Sequence, residues 1–152
     1  MKRLLAIALL ATGAPALAQE DLRIDRDKIY VTDADACSAL ETEGLAAWQT
    51  HDFLSLDFND GIRSMAVRCA FFDVKGREGS RHLLIDTICE APGSLYPDSL
   101  AVTPVSETQI QVVSAFELAL STHEAAQTSS EVATPGATLY TRCDNLSEIP
   151  VD

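Results

Sequence analysis

The sequence predicts a mainly β protein: a small antiparallel β-barrel or sandwich of six to seven strands, with one or two short helices and two disulfides. Three observations carry that expectation. Short apolar runs with a two-residue period alternate with clusters of Gly, Pro, Asn, Asp and Ser, the pattern of brief strands joined by turns rather than of a parallel sheet with crossover helices. The clearest pair of runs frames a hairpin from Ile62 to Glu90. Four cysteines, Cys37, Cys69, Cys89 and Cys143, follow an export-type leader, where paired thiols are the expected state.

Residues 1–18 read as a signal peptide. Lys2 and Arg3 precede the apolar run Leu4 to Ala11, and Ala16-Leu17-Ala18 offers small residues for cleavage. The run is too short for a membrane span, and no later segment approaches the ~20 apolar residues that one requires. Its style suits a Gram-negative bacterium, with the periplasm as destination and secretion as the alternative. Residues 19–152 then form a single β-rich domain, without an internal repeat.

After a charged leader from Gln19 to Asp27, Lys28 to Thr32 reads as a first strand. Asp33 is placed to cap a short helix over Ala34 to Glu43, which Gly44 stops. Leu54, Leu56 and Phe58 alternate as a second strand, and Asn59-Asp60-Gly61 turns the chain into the hairpin. Asp57 to Gly61 resembles the start of a calcium loop, but the glycine comes one position early and Arg68 stands where the bidentate glutamate belongs.

In the hairpin, Met65, Val67, Cys69 and Phe71 share one face of the first arm, and Leu83, Ile85, Thr87 and Cys89 one face of the second. Lys75 to Ser80 is turn-forming and charged. Pairing Phe72 with His82 sets Arg68 against Asp86 and leaves the inner face almost wholly apolar. That register separates Cys69 from Cys89 by four residues, roughly 13 Å along the strands, too far for a bond. Each is therefore expected to bond to Cys37 or Cys143, in either order; a tighter turn at Glu78-Gly79-Ser80 would instead set Cys69 opposite Cys89.

Beyond Cys89, Pro92-Gly93-Ser94 and Tyr96-Pro97-Asp98 mark an irregular loop. Ser99 to Thr103 and Thr108 to Ser114 read as strands. Phe116 to Gln127 reads as a helix, with Ser114 and Glu117 in a capping-box arrangement, although Phe116, Leu118 and Leu120 also alternate. Gln127 to Pro135 is a polar surface loop, Ala137 to Cys143 the closing strand, and a short acidic tail follows.

Eleven basic residues stand against 23 acidic ones; removal of the signal peptide leaves nine against 23, a formal balance of −14 over 134 residues. Such a charge argues against nucleic acid and anionic membranes as partners. Five of the nine, Arg63, Arg68, Lys75, Arg77 and Arg81, fall within the central hairpin, whereas Ile29 to Ile62 and His82 to Thr141 contain none. This is a local positive patch suited to a carboxylate or phosphate, because guanidinium groups bind such oxygens bidentately. Arg63, Arg68 and Arg81, with Phe72 and Tyr96, are the candidate ligand-binding residues; Trp48 is a further exposed-aromatic candidate. The competing reading pairs Arg68 with Asp86 and leaves the loop charges solvated.

No constellation signals catalysis, a metal or a cofactor. His51, His82 and His123 are scattered, with His82 expected to stack on Phe72, and no nucleophile elbow, phosphate loop or zinc-binding histidine pair occurs. The expected function is a non-catalytic exported binding or accessory module for a protein or small anionic ligand. The alternative is a proteinaceous inhibitor of an envelope or extracellular hydrolase, presenting a loop such as Ala91 to Asp98.

Overall fold

The computed structural model describes residues 22–125 and 135–150, with side chains of the last helix described through Ser121; the signal peptide and most of the Gln127 to Pro135 loop lie outside these residues. Eight antiparallel strands close into a barrel in chain order, each paired with the next and the last with the first. They are β1 (Tyr30–Val31), β2 (Ser55–Asp57), β3 (Gly61–Arg63), β4 (Arg68–Gly76), β5 (Leu83–Ala91), β6 (Ser94–Pro104), β7 (Gln109–Ser114) and β8 (Ala137–Arg142). Helix α1 (Ala36–Glu43), a 3-10 turn (Gly44–Ala46) and α2 (Ala47–Thr50) join β1 to β2, and α3 (Ala115–Ala125) follows β7. The strand alternation, the turn residues and the two half-apolar helices thus yield the mainly β class expected, as a barrel.

The eighth strand arises inside the expected first arm of the hairpin. The Ser64 hydroxyl accepts the amides of Ala66 (3.2 Å) and Val67 (3.0 Å), and the Ser64 amide donates to the Val67 carbonyl at 2.8 Å. A side chain that satisfies nearby amides competes with the ladder, so the chain reverses there. Met65 is consequently exposed rather than inward. The β2–β3 turn ends at Gly61, whose φ of 138° suits glycine alone and where a Cβ would stand 1.8 Å from the Cys69 carbonyl oxygen.

The hairpin register differs from the expected one by four residues. Arg68 faces Glu90, Cys69 faces Cys89, and Ala70 faces Ile88; a bulge at Phe72 then shifts the ladder by one, so that Lys75 faces Leu84 and Gly76 faces Leu83. Cys69 and Cys89 are therefore bonded to each other, with Cα atoms 3.9 Å apart, and Cys37 is bonded to Cys143. The expected crossed bonding is overturned. The tighter register draws Asp73 to Gly76 into β4, where the Lys75 ammonium bridges Asp86 at 2.6 Å and Asp73 at 3.2 Å. Asp86 is thus taken by Lys75, not by Arg68. Thr87 donates to the Ala70 carbonyl at 2.8 Å beside the bulge, satisfying one of the few buried polar side chains.

Pro92-Gly93 is the whole of the β5–β6 connection: Ala91 faces Ser94, and Gly93 has φ 78°, the geometry of a turn with proline then glycine at its centre. Tyr96, Pro97 and Asp98 lie within β6 and not in an irregular loop. Along this stretch β6 has β5 on one side and no strand on the other, the setting in which a strand tolerates proline.

Two apolar clusters hold the molecule together. The barrel interior is filled by Tyr30, Leu56, Ile62, Ile85, Leu100, Val102, Ile110 and Tyr140 around the Cys69–Cys89 bridge. Ile29 and Val31, on the outer side of β1, pack with Ala36, Leu40, Ala47, Phe53 and Leu146 around Cys143, whose bond to Cys37 fastens α1 to the barrel. Asp33 starts the helix region by accepting the Asp35 amide at 3.1 Å, and α1 itself begins at Ala36, two residues later than expected. Gly44 ends it with φ 57°, pressed against the Pro150 carbonyl. The acidic tail is therefore packed: Leu146 is buried and Ile149 leans on the same cluster.

Candidate functional site

The hairpin loop and the leader meet at the upper end of the barrel, the end where β4 passes to β5. The loop spans Arg77 to His82 and is held by its own hydrogen bonds: the Ser80 amide to the Arg77 carbonyl at 2.9 Å, and the His82 amide to the Ser80 hydroxyl at 3.1 Å. The His82 ring bonds through Nδ1 to the Thr103 hydroxyl at 3.1 Å, which ties the loop to β6. It does not stack on Phe72, whose side chain stands exposed at the bulge. The leader is fixed by Ile24, which packs on the barrel core, and by the Asp25 amide, which donates to the Tyr30 hydroxyl at 3.0 Å.

These anchors bring Arg23, Ile24 and Arg26 to the edge of the loop, and the space between is an open cleft of about 850 Å3 that Arg77, Glu78, Gly79, Ser80, Arg81, His82 and Leu83 complete. Four guanidinium groups converge on it from two distant parts of the chain. Among the described residues, the ion pairs join Arg63 to Asp60 at 2.6 Å, Lys75 to Asp73 and Asp86, and Arg142 to Asp144. Arg26, Arg77 and Arg81 stand outside those pairs. A concave surface of one charge sign focuses its field on an incoming counter-ion, and planar guanidiniums can meet carboxylate or phosphate oxygens two at a time. Glu78 is the one acidic residue of the lining.

The sequence-derived candidates do not all share this place. Arg81 lies in the cleft. Arg63 and Arg68 face each other across β3 and β4 at the lower end. Phe72 is on the outer wall, and Tyr96 stacks on Phe116 with ring centroids 4.0 Å apart near the lower mouth. Trp48 stacks on Phe53 against the outer cluster, and its indole N–H is buried without a partner among the described residues. Arg23 and Arg26 are absent from the sequence-derived candidates, because nothing in Arg23-Ile24-Asp25-Arg26 by itself shows that Ile24 packs on the barrel core.

Among the described residues no group of three or more His, Cys, Asp or Glu is placed to hold a metal ion. No helix among them is long and apolar enough to cross a membrane. The barrel is apolar inside, and β1, β2 and β3 are two or three residues long, whereas a membrane-spanning strand needs about 9–11. No family model, curated protein or solved structure matches this chain.

Proposed function

We propose that the chain is an exported, periplasmic, non-catalytic binding module that takes an anionic ligand bearing carboxylate or phosphate groups in the cleft between leader and hairpin loop. The observation that carries this reading is the convergence of Arg23, Arg26, Arg77 and Arg81 on one concavity. They are four of the nine basic residues in a mature chain with 23 acidic ones. Glu78 is the one carboxylate among the residues of that lining, and a bound anion would offset the remaining repulsion between the cations. The leader sequence supports export, as does the pairing of all four cysteines. The inhibitor alternative loses its named loop, since Ala91 to Asp98 is a tight hairpin and strand.

Calorimetric titration of residues 19–152 with citrate and with tripolyphosphate tests the proposal. At low salt at least one probe binds, and affinity falls as salt rises. Arg77→Ala with Arg81→Ala weakens it by about tenfold or more, since a hydrogen bond to a charged group contributes about 1.5–3 kcal/mol. Arg68→Ala, at the other end, leaves it unchanged. No heat from either probe, or an undiminished affinity in the double variant, overturns the assignment.

A further inference from the structure

The lower mouth of the barrel holds a second concavity, remote from the arginine cleft. Its wall combines Ile62, Leu100 and Val112 with the Cys69–Cys89 bridge, and its volume is about 370 Å3. Eight strands ordinarily leave an interior that side chains just fill. Here part of the lining is small, with Gly136 and Thr138 on one side and the two bridged cysteines on the other, beside larger side chains such as Leu54 and Tyr96. The space amounts to roughly twelve waters' worth of liquid at ~30 Å3 each, or a molecule with about that many non-hydrogen atoms.

Two features say what chemistry fits. Tyr140 lines the cavity, is only 2 % exposed, and makes no hydrogen bond through its hydroxyl to any described residue. Burial pushes its phenol up, so the group remains a neutral O–H donor. Its oxygen is not among the sealed polar atoms that lack a partner, so it meets the solvent of the concavity that Tyr140 lines, where a ligand oxygen could take its hydrogen bond. At the rim, the Asp98 carboxylate accepts the Ser114 hydroxyl at 2.6 Å and the Phe116 amide at 2.9 Å, which fixes it over the start of α3. Glu117 stands one residue further along the helix. Burial and then the Glu117 and Asp98 charges raise the Tyr96 phenol, a sign that both carboxylates act on the rim where Tyr96 and Phe116 stack.

We infer that this mouth is a binding site for a small aromatic or apolar primary amine with an oxygen at its far end, the ammonium beside Asp98 and Glu117 and the oxygen on the Tyr140 hydroxyl. The apolar wall takes the body of the molecule. Stacked aromatics at the entrance add a face for the cation. The site shares no residue with the arginine cleft, and its ligand is of opposite charge.

Tyramine carries all three elements, phenethylamine lacks the oxygen, and p-cresol lacks the amine. Amide spectra of labelled mature protein titrated with each at millimolar concentration read the site directly. Tyramine shifts Cys69, Cys89, Leu100, Val112 and Tyr140 and leaves Arg77 to His82 in place, and it binds more tightly than either fragment. Tyr140→Phe removes the advantage of tyramine over phenethylamine, a loss of about fivefold for one neutral hydrogen bond. Thr138→Leu, on the inward face of β8 with Tyr140, fills the cavity and abolishes the shifts while the dispersed spectrum persists. Should Thr138→Leu not fold, the Tyr140→Phe comparison decides alone. Shifts spread over the surface or centred on the arginine loop, no shifts with any probe, or an undiminished preference in Tyr140→Phe overturns the assignment.

Discussion

Tyr30, Tyr96 and Tyr140 are all the tyrosines of the chain, and burial raises the phenol of each above its ordinary value of 10.0. For Tyr30 the Asp25 amide opposes the shift by donating to the oxygen; for Tyr96 the Glu117 and Asp98 carboxylates add to it. A folded state that holds these protons more tightly than the unfolded chain gains nothing from them below the unfolded value, where both states are protonated. As pH rises through that value the unfolded phenols ionise first, and stability is lost until the folded phenols follow. The midpoint of urea unfolding should therefore fall between about pH 9 and about pH 11, with Tyr140→Phe losing less than the parent protein. An unchanged midpoint across that range would show that the phenols are not desolvated.

At the scale of elements, two-residue alternation carries information about faces and none about even slips of register. Leu83, Ile85, Thr87 and Cys89 point inward as their spacing requires, because a displacement of four residues leaves every side chain on its own side. What selects the observed register lies outside the apolar pattern. Lys75 can bridge Asp73 and Asp86 only when β4 extends to Gly76, and the Phe72 bulge absorbs the odd residue. The turn at Ser64 was equally hidden, since Met65 and Val67 continue the alternation while a hydroxyl breaks the strand. By contrast Gly44, Gly61 and the Ser114–Glu117 cap were legible: the Glu117 amide donates to the Ser114 hydroxyl at 3.0 Å, and α3 forms where its residues favour it.

The two bridges make a prediction of their own. Cys37–Cys143 closes 106 residues and Cys69–Cys89 closes 20. Restriction of the unfolded chain grows with the logarithm of the loop, so removing the longer bridge costs about 1.5 kcal/mol more than removing the shorter. Unfolding of the Cys37→Ala/Cys143→Ala and Cys69→Ala/Cys89→Ala proteins measures the difference. Equal or reversed costs would mean that the interior packing lost around Cys69 and Cys89 outweighs loop entropy.

Over the whole molecule, eight strands close in a ring, with β4 beyond Ala70 and β6 before Leu100 paired on one side only, and the two concavities at its ends differ. Four arginines line the upper one, and Asp98 and Glu117 line the lower one beside Tyr96. Half of the upper site could be read from the sequence, because Arg77 and Arg81 stand in a turn-forming stretch that a barrel must expose. Arg23 and Arg26 could not, because their place depends on Ile24 packing on the barrel core and on the Asp25 amide finding the Tyr30 hydroxyl, and the loop they meet lies far along the chain. Arg63 and Arg68 are close to the loop in sequence, but β4 runs from Arg68 up to Gly76 and so holds both at the opposite end.

The claim on which this account turns is that leader and hairpin loop form one anion-binding surface. Following the backbone amides and arginine side-chain signals of labelled mature protein during a citrate titration tests it most directly. Signals of Arg23, Ile24 and Arg26 should shift together with those of Arg77 to His82, along a single saturation curve. Shifts confined to one segment, or centred on Arg63 and Arg68, would contradict it.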